Sequence, residues 1–291
     1  MDIRAPRWVE RDDIFQGRPQ GAESVRCTGL WVAGSLAGLS RPTIAVVGSR
    51  APSEGGRERA REFGRRFARA GLCVISGLAL GIDGAAHLGA LEGGGPTIGI
   101  LGGGHRRFFP PANRALAGRI VAAAGAVVSP YAPDDPVYAS NFLQRNGIVV
   151  ALADAVVIVE AASRSGALNT ASWAAARGIT VFAVPGDVDR PKAAGCNALI
   201  RDGATLARDA DDVLADLGFA CGQTTLPLTR PARTDPLEGA VVSALADGPL
   251  TLDALIERSG ASAGNVLATL VRLELARAIE RRNDGTFAYT R

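Results

Sequence analysis

The amino-acid sequence predicts an α/β protein with a doubly wound parallel sheet and a small C-terminal winged-helix-like domain. Over residues 43–184, short apolar runs rich in β-branched residues alternate with segments of helical periodicity. This alternation is typical of parallel strands joined by right-handed crossovers, and strands without polar alternation are usually buried on both faces. Beyond a segment rich in Thr, Pro and Arg, residues 236–291 show three helical patterns and two short strand patterns.

The order of the elements follows from the same patterns. Residues 1–40 are predicted to be irregular, apart from a short strand and turn over residues 30–34. The first strand of the sheet is predicted over Thr43–Val47, and a helix over 53–69 follows it, because Phe63 and Phe67 share one helical face. The alternation then predicts strands over 72–75, 97–101, 126–129, 155–159 and 180–184, and helices over 83–92, 146–153 and 168–177 and from about residue 113.

Composition divides the chain into four segments. Residues 1–40 are predicted to be an N-terminal extension, 41–221 the α/β domain, 222–235 a linker and 236–291 the winged-helix-like domain. The linker is inferred from its Thr, Pro and Arg content. The two strands of the wing are predicted to turn at Asn283-Asp284-Gly285.

Length and charge limit the classes of function. The chain has 291 residues, of which 47% are hydrophobic, so a large and a small domain can each bury a core. Lys and Arg number 32 against 29 Asp and Glu, and aromatic residues make up 5%. A nucleic-acid site in this chain would therefore depend on local charge and backbone groups more than on a broad stacking surface.

Cysteine and histidine are too few and too scattered for metal or redox chemistry. None of the four cysteines forms a CxxC pair, and the chain has two histidines. No apolar run is long enough for a membrane span, and the first ten residues lack the apolar core of a signal peptide. The sequence therefore predicts no metal, no cofactor, no membrane association and a cytoplasmic location.

Small and polar residues follow most of the predicted strands. Because the carboxyl ends of parallel strands meet at one edge, these residues are expected to converge on a single crevice. Glycine lets backbone N–H groups approach an anion, a helix N-terminus adds partial positive charge, and a guanidinium matches phosphate. Glycines that only permit tight turns explain any one loop equally well, but not the whole set. The residues predicted to form this phosphate site are Gly48, Ser49, Arg50, Ser76, Gly77, Gly102, Gly104, Ser165 and Gly166.

Two further segments place charge beside aromatic rings. Arg145 and Asn146 are predicted to begin a helix and to bind phosphate there, and Phe142 either stacks a nucleic-acid base or anchors the core. Arg106 and Arg107 are followed directly by two phenylalanines. This second segment is either a single-strand contact outside the crevice or a solvated loop over two buried rings.

Patterns for catalysis are weak. The chain has neither GxGxxG nor GxxxxGK[ST], so a standard dinucleotide site or P-loop is not expected. Asp83 and His87 lie four residues apart on a predicted helix and can form an acid–base pair, but a structural role is favoured. Glu160, which follows a predicted strand, is a candidate base without an obvious partner.

Motifs in a fixed order extend over about residues 30–217. The most recognisable segment is Ser76-Gly77-Leu78-Ala79 with Gly81-Ile82-Asp83 and Ala86-His87, preceded by an opening motif over 44–50 with Ser53. Further matching positions are Gly102 and Gly104 with Phe109-Pro110 and Asn113, Phe142 with Arg145-Asn146, Val159-Glu160, Ser165-Gly166, Thr170-Ala171, Val184-Pro185-Gly186, Gly195-Cys196-Asn197, Leu199-Ile200 and Gly203-Ala204. This ordered set resembles the DprA/Smf family. No single motif is decisive, but the order is highly specific.

The resemblance implies an extended Rossmann-like fold that binds single-stranded DNA, forms a homodimer and loads a RecA-type recombinase onto the strand during natural transformation. By position it implies phosphate binding by Arg50, Arg145 and Asn146 in a pocket shaped by Gly48, Ser49, Ser76 and Gly77, with Ser53 in the same opening motif. The chain departs from the family at Leu80, Gly147 and Ile179, where basic residues are usual. Because each phosphate contact adds to affinity, weaker DNA binding is expected.

Three hypotheses about function remain open. The leading one is a non-enzymatic, single-strand-binding and recombinase-loading protein of DNA uptake and recombination. The first alternative is a Rossmann-like enzyme that hydrolyses the glycosidic bond of nucleoside monophosphates with Glu160 as base, although the PGGxGTxxE segment of that group is not found. The second is an adaptor acting through the winged-helix-like domain, whose candidate base-reading residues are Arg258, Arg272, Arg277, Arg281 and Arg282.

Overall fold

The computed structural model describes residues 3–16, 27–219, 236–245, 248–275, 278–282 and 285–289. Contacts between Cα atoms divide the chain into two units, Met1–Cys221 and Gly222–Arg291. The predicted linker over 222–235 lies outside the described residues, and the predicted domain boundaries stay predictions.

The described part of the first unit forms a nine-stranded sheet. Its strands are β1 (Arg7–Glu10), β2 (Gly29–Gly34), β3 (Thr43–Val47), β4 (Cys73–Ser76), β5 (Thr97–Ile100), β6 (Ala126–Ser129), β7 (Ala155–Ile158), β8 (Thr180–Ala183) and β9 (Thr205–Leu206). Their order is β1-β2-β6-β5-β4-β3-β7-β8-β9. Strand β2 pairs antiparallel with β1 and β6, and every pair from β6 to β9 is parallel.

The chain path creates a switch point in this sheet. From β3 the chain moves outward through β4 and β5 to β6, and then returns to β7 on the other side of β3. The loops after β3 and β7 therefore leave the sheet side by side, in the place where doubly wound sheets usually bind their ligands. The predicted doubly wound fold is confirmed.

Helices cover both faces of the sheet. In the described part of the first unit they are α1 (Arg11–Phe15), α2 (Glu54–Arg69), α3 (Ile82–Glu92), α4 (Arg114–Ala122), α5 (Ala139–Ala151), α6 (Gly166–Ala175), α7 (Ala194–Arg201) and α8 (Ala210–Asp216). Alternate residues of β3 enter separate cores: Ile44 and Val46 pack on the side of α2, α3 and α8, and Ala45 and Val47 on the side of α5 and α6. This burial of both faces accounts for the continuous apolar run.

Helix α2 illustrates the local rules. Its N-cap is Ser53, whose hydroxyl oxygen accepts a hydrogen bond from the Gly56 N–H at 3.0 Å. Phe63 and Phe67 lie one turn apart and are buried, with ring centroids 5.5 Å apart. The predicted helix over 53–69 is thus confirmed to within one residue, as are the six predicted strands of the parallel sheet.

Two predictions about elements are wrong. The helix predicted over 146–153 begins at Ala139, so Arg145 and Asn146 lie in its middle and not at its start. The continuous apolar run begins only at Ile148, and the mixture of polar and apolar residues before it conceals the first turns of the helix. The N-terminal residues predicted to be irregular contain β1 and α1, and β1 belongs to the main sheet. The short strand predicted over residues 30–34 is confirmed as β2.

The second unit contains three helices and a two-stranded wing among its described residues. These are α9 (Pro236–Leu245), α10 (Leu252–Ser259), α11 (Ala263–Leu275) and the antiparallel strands β10 (Ile279–Arg281) and β11 (Phe287–Tyr289). Val241, Leu255, Val266 and Leu270 belong to its own core. The predicted winged-helix pattern is confirmed; Asn283 and Asp284 of the predicted turn lie outside the described residues. Along the described chain, no helix combines the length and apolarity needed to cross a bilayer.

Candidate functional site

A cavity of about 530 Å³ lies at the carboxyl ends of the parallel strands, beside the switch point. It is lined by the loops after β3 and β4 and by helices α5 and α6. The lining residues are Val47, Gly48, Arg50, Ala79, Asp83, Phe109, Ala139, Phe142, Leu143, Arg145, Asn146, Ser165, Gly166, Ala167 and Thr170. Its size and position are those of a small-ligand pocket in an open α/β sheet.

The structure brings about half of the predicted site residues to this cavity. Those that line it are Gly48, Arg50, Phe142, Arg145, Asn146, Ser165 and Gly166. Those that are not among its lining residues are Ser49, Ser53, Ser76, Gly77, Gly102, Gly104, Arg106 and Arg107. Binding by any of these residues stays a prediction.

Arg50 and Phe142 form one wall of the cavity. The guanidinium carbon of the exposed Arg50 lies 4.7 Å from the ring centroid of the half-buried Phe142, in a cation–π arrangement. On the same side, the ring of Phe109 lies 6.0 Å from that of Phe142 and is 49% exposed. Phe142 is thus not a buried core anchor. Its ring is half-buried, and the guanidinium of the exposed Arg50 lies against it.

Arg145 lies at the floor of the cavity and is buried. Its Nη1 donates to the carbonyl oxygen of Ile100 at 3.1 Å and lies 4.0 Å from the Asp83 carboxylate. Its Nε has no hydrogen-bond partner among the described residues. Burial lowers the pKa of Arg145, while Asp83 raises it and Arg50 lowers it further. The cation is therefore only partly compensated by the protein.

Asp83 connects this cation to the loop after β4. Its Oδ2 accepts the N–H groups of Gly77 at 3.1 Å and of Ala79 at 3.4 Å. Burial raises the pKa of Asp83, and Arg145 is the largest influence that lowers it. These contacts agree with the structural interpretation of Asp83 that the sequence favoured.

His87 is buried one turn further along α3, and its ring contacts Thr97. The Thr97 hydroxyl donates to the carbonyl oxygen of Val74 at 2.7 Å, so it must accept from His87 Nδ1, 2.7 Å away. The tautomer is thereby set with the proton on Nδ1. Desolvation and the nearby Arg145 lower the pKa of His87 to about 3, so the ring is neutral at physiological pH.

Three backbone N–H groups in the strand-end loops are hydrogen-bonded within the protein. The N–H of Ser49 donates to the Glu160 carbonyl oxygen at 2.7 Å, that of Gly104 to the Asp135 carbonyl oxygen at 3.1 Å, and that of Gly77 to Asp83. The Ser76 hydroxyl is buried and donates to the Val46 carbonyl oxygen at 2.6 Å. These groups already have hydrogen-bond acceptors within the protein, as buried backbone groups usually do.

The remaining positive character comes from two guanidinium groups and the start of α6. Ser165 is the N-cap of this ten-residue helix, and its hydroxyl oxygen accepts the Ala167 N–H at 3.2 Å. Ser165 and Gly166 both line the cavity. Asn146 donates to the Gly166 carbonyl oxygen at 3.3 Å, and so connects α5 to this helix start. An anion in the cavity would meet Arg50, Arg145 and the positive end of the α6 dipole.

In the segment after β5, Arg106 lies at the exposed surface, Phe108 is buried and Phe109 lines the cavity. Arg106 forms an exposed ion pair with Asp134, with Nη1 and Oδ2 2.6 Å apart. Phe108 is buried beneath Arg114, whose guanidinium carbon lies 5.4 Å from the ring centroid. Phe109 instead faces the cavity. The solvated-loop interpretation therefore fits Phe108, and the charge of Arg106 is already paired.

Some cavity residues were not predicted from the sequence. Ala139, Phe142, Leu143 and Asn146 line the cavity at positions i, i+3, i+4 and i+7, which is one face of a helix. This spacing would have identified Ala139 and Leu143 if α5 had been predicted to begin at Ala139. Asp83 and Thr170 also line the cavity.

The positions where a basic residue was expected differ in their surroundings. Leu80 is 45% exposed and follows the cavity residue Ala79. Gly147 is buried within α5, with the Trp173 ring 3.9 Å from where a Cβ would stand. Ile179 is 8% exposed and belongs to the core. Only Leu80 is therefore placed where a basic side chain would stand free in solvent beside the cavity.

Few of the candidate residues in the second unit are fully described. Arg258 is exposed on α10, and the Nε of Arg282 lies 3.7 Å from a carboxylate oxygen of Glu280. Arg277 and the side chains of Arg272 and Arg281 lie outside the described residues. Across the described chain as a whole, no group of three or more His, Cys, Asp or Glu is placed to hold a metal ion.

Two family models match the chain. The model described as DNA recombination-mediator protein A matches residues 23–218, and the DprA winged helix domain matches residues 226–285. The chain is 40% identical over 269 residues to the putative DNA processing protein DprA of Mycobacterium tuberculosis, which covers 90% of this chain and 68% of that protein. It is 38% identical over 256 residues to protein Smf of Escherichia coli, covering 85% and 68%.

Two solved structures have the same fold. DNA processing protein A of Streptococcus pneumoniae superimposes with a TM-score of 0.61 at 38% identity, over 65% of this chain and 66% of that one. DNA processing protein A of Helicobacter pylori superimposes with a TM-score of 0.62 at 26% identity, over 73% of this chain and 95% of that one. The H. pylori structure is described as showing that protein's single-stranded DNA binding mode.

Proposed function

This chain belongs to the DNA recombination-mediator protein A family, the DprA/Smf proteins, and on that basis we propose that it binds single-stranded DNA at the cavity beside the switch point. We further propose that it acts without catalysing a reaction, as a homodimer in the cytoplasm. In this role it would load a RecA-type recombinase onto the bound strand during DNA uptake and recombination.

The contact between Arg50 and Phe142 is the observation that carries the proposal. A guanidinium binds phosphate in a forked geometry, and an aromatic ring stacks a base of any sequence. Here the two groups are 4.7 Å apart on one cavity wall, with the exposed ring of Phe109 next to them. Arg50 can therefore bind a phosphate while the rings beside it stack on the attached base. A base is available for such stacking when the strand is not base-paired.

The buried Arg145 adds a second reason to expect an anion. A buried cation is costly unless it is paired and hydrogen-bonded on all sides. Arg145 has a carboxylate at 4.0 Å and an Nε without a partner among the described residues. A phosphate oxygen entering the cavity would supply negative charge to a guanidinium that the protein compensates only in part.

Glu160, the candidate base of the hydrolase alternative, is hydrogen-bonded within the protein and does not line the cavity. The Glu160 carboxylate accepts the N–H and the hydroxyl of Ser53 at 2.9 and 2.6 Å, and Glu160 is not among the residues that line the cavity. A general base must reach the proton that it removes. The adaptor hypothesis stays open for the second unit.

Oligonucleotide binding tests the proposal. We expect the protein to bind oligo-dT with an affinity that falls with salt, and Arg50→Ala to bind roughly tenfold more weakly with a salt slope smaller by about 0.7, the value for one phosphate contact on a single strand. The matched control is Arg69→Ala, because Arg69 is exposed at the far end of the 16-residue α2. Equal binding by wild type and Arg50→Ala would refute the proposed site.

Recombinase loading needs its own assay. A RecA-type recombinase is mixed with oligo-dT coated by a single-strand-binding protein, and its strand-dependent ATP hydrolysis is followed with and without this protein. We expect wild type to shorten the lag and Arg50→Ala to shorten it less. An unchanged lag would refute the proposed loading role without contradicting the proposed DNA binding.

A further inference from the structure

Glu160 contacts both ends of the loop that carries Arg50. It follows β7, and its carbonyl oxygen accepts the Ser49 N–H at 2.7 Å. Its carboxylate accepts the Ser53 N–H at 2.9 Å and the Ser53 hydroxyl at 2.6 Å. One residue beyond the end of β7 thereby joins the two ends of the loop after β3 with three hydrogen bonds.

The same loop is held from its other side by α3 and α2. The Ser49 carbonyl oxygen accepts the Ile82 N–H at 3.1 Å, at the start of α3. The Ser53 hydroxyl donates to Glu160 and accepts from Gly56, so it joins the carboxylate to the first turn of α2. A Cβ at Gly56 would lie 2.8 Å from the carboxyl carbon of Glu160, so this carboxylate fits closely beneath the helix start. A negative charge there is favourable.

The carboxylate is thus used within the protein, whereas Arg50 extends from the loop to the cavity. Glu160 is half-buried and is not among the lining residues, but Gly48 and Arg50 are. Between the two anchored residues Ser49 and Ser53, Arg50 lies over Phe142. Orientation of a charged group before the ligand arrives lowers the entropy lost on binding.

We propose that Glu160 is a positioning residue for strand binding: it holds the loop between β3 and α2 closed, so that Arg50 stands over Phe142 at the cavity wall. This role rests on the proposed function, and it specifies that Glu160 orients Arg50, the cation proposed to bind the strand. Glu160 does not contact the DNA and takes part in no proton transfer.

Whether DNA affinity rises or falls when the Glu160 carboxylate is removed distinguishes a positioning role from a purely electrostatic one. Removal of a carboxylate near an anion site strengthens anion binding if only charge matters. If Glu160 positions Arg50, Glu160→Ala weakens strand binding although it makes the protein more positive. The matched control is Glu62→Ala on the exposed face of α2, which removes one negative charge but touches neither the loop nor the cavity.

The experiment measures oligo-dT affinity across a salt series for the full chain. We expect Glu160→Ala to bind roughly three- to tenfold more weakly than wild type and to lose about 0.7 in salt slope, as Arg50→Ala does. Glu160→Gln, which keeps an oxygen for the Ser53 N–H but not for its hydroxyl, is expected to be intermediate. In the Arg50→Ala background, Glu160→Ala is expected to cause no further loss.

Two results would overturn the role of Glu160. One is Glu160→Ala binding as tightly as wild type, or more tightly, while Arg50→Ala binds weakly. The other is the same fold loss with and without Arg50, which indicates general damage. If Glu160→Ala does not fold, Ser53→Ala replaces it, with the same dependence on Arg50 expected. A wild type that does not bind, or an Arg50→Ala variant that binds normally, refutes the proposed function instead.

Discussion

The guanidinium of Arg145 occupies the space in which any side chain at Gly77 would stand. A Cβ placed on Gly77 would overlap the Nη1 atom of Arg145 and crowd its Cζ and Nη2 atoms. The two residues come from the loop after β4 and the middle of α5, 68 positions apart in the chain. The glycine is therefore required here for close approach of a buried cation and not for a turn.

Gly77→Ala tests this relationship. The added methyl group must displace Arg145, so we expect a loss of about 1–3 kcal/mol in the free energy of unfolding and weaker oligo-dT binding. Urea unfolding and filter binding measure the two effects. The control is Gly55→Ala in α2, where an added Cβ meets nothing within 4 Å and should stabilise the helix by about 0.5–1 kcal/mol. Unchanged stability and binding in Gly77→Ala would contradict the overlap.

Removal of Arg145 should leave Asp83 as an uncompensated buried carboxylate. We expect Arg145→Met to lose about 3 kcal/mol in the free energy of unfolding at pH 7, and less at pH 5. The reason for the pH effect is that burial already raises the pKa of Asp83 and Arg145 is the largest influence that lowers it. An acid with a raised native pKa stabilises the fold at low pH and loses that stabilisation as pH rises.

Asp83→Asn provides the check on that explanation. Added to Arg145→Met, it should recover part of the loss at pH 7, because the neutral amide can still accept the Gly77 N–H. Urea unfolding at both pH values compares the single and double variants. An equal loss at pH 5 and pH 7, with no recovery in the double variant, would show that the charge of Asp83 is not the cause.

His87 should make the fold sensitive to acid well above the range of the carboxyl groups. The unfolded chain binds this proton near pH 6.5, whereas burial and Arg145 lower the native pKa to about 3. Between these values the unfolded state binds more protons, so stability falls as pH falls. We expect about 2 kcal/mol to be lost between pH 7 and pH 5 through this group.

His87→Asn should reduce that dependence. The asparagine amide can donate to Thr97 as Nδ1 does, but it does not titrate. Urea unfolding at pH 5, 6 and 7 measures the slope in wild type and variant. Some slope should remain, because burial also lowers the pKa of His105. Identical slopes in the two proteins would mean that His87 is protonated in the native state at pH 5.

Leu80→Lys should strengthen DNA binding. Leu80 is 45% exposed and follows the cavity residue Ala79. The family resemblance predicts a basic residue at this position. An added cation there should increase oligo-dT affinity several-fold at low salt and raise the salt slope by about 0.7. Val188→Lys is the control, because Val188 is 83% exposed and does not line the cavity. Equal gains in both variants would indicate a general charge effect and not a strand path past Leu80.

Local patterns explain which elements the sequence predicted correctly. Strands buried on both faces have continuous apolar runs, so β3 was placed to the residue and its neighbours to within one residue. Helix α5 was placed too late, since its first turns mix polar and apolar residues, and the apolar Ala139, Phe142 and Leu143 face the cavity instead of the core. Sites commonly break the local rules in this way, because their side chains serve a ligand more than the core.

The sequence by itself determined the doubly wound fold, the winged-helix unit, the family and the convergence of strand-end loops on one crevice, because periodicity and motif order are properties of neighbouring residues. Only the tertiary structure decided that Arg145 is buried against Asp83 and Gly77, that the amides of Ser49 and Gly104 are already hydrogen-bonded, and that Glu160 closes the Arg50 loop. Glu160 and Ser53 are 107 positions apart. Such partners meet only through strand order, and no local pattern records their distance or burial.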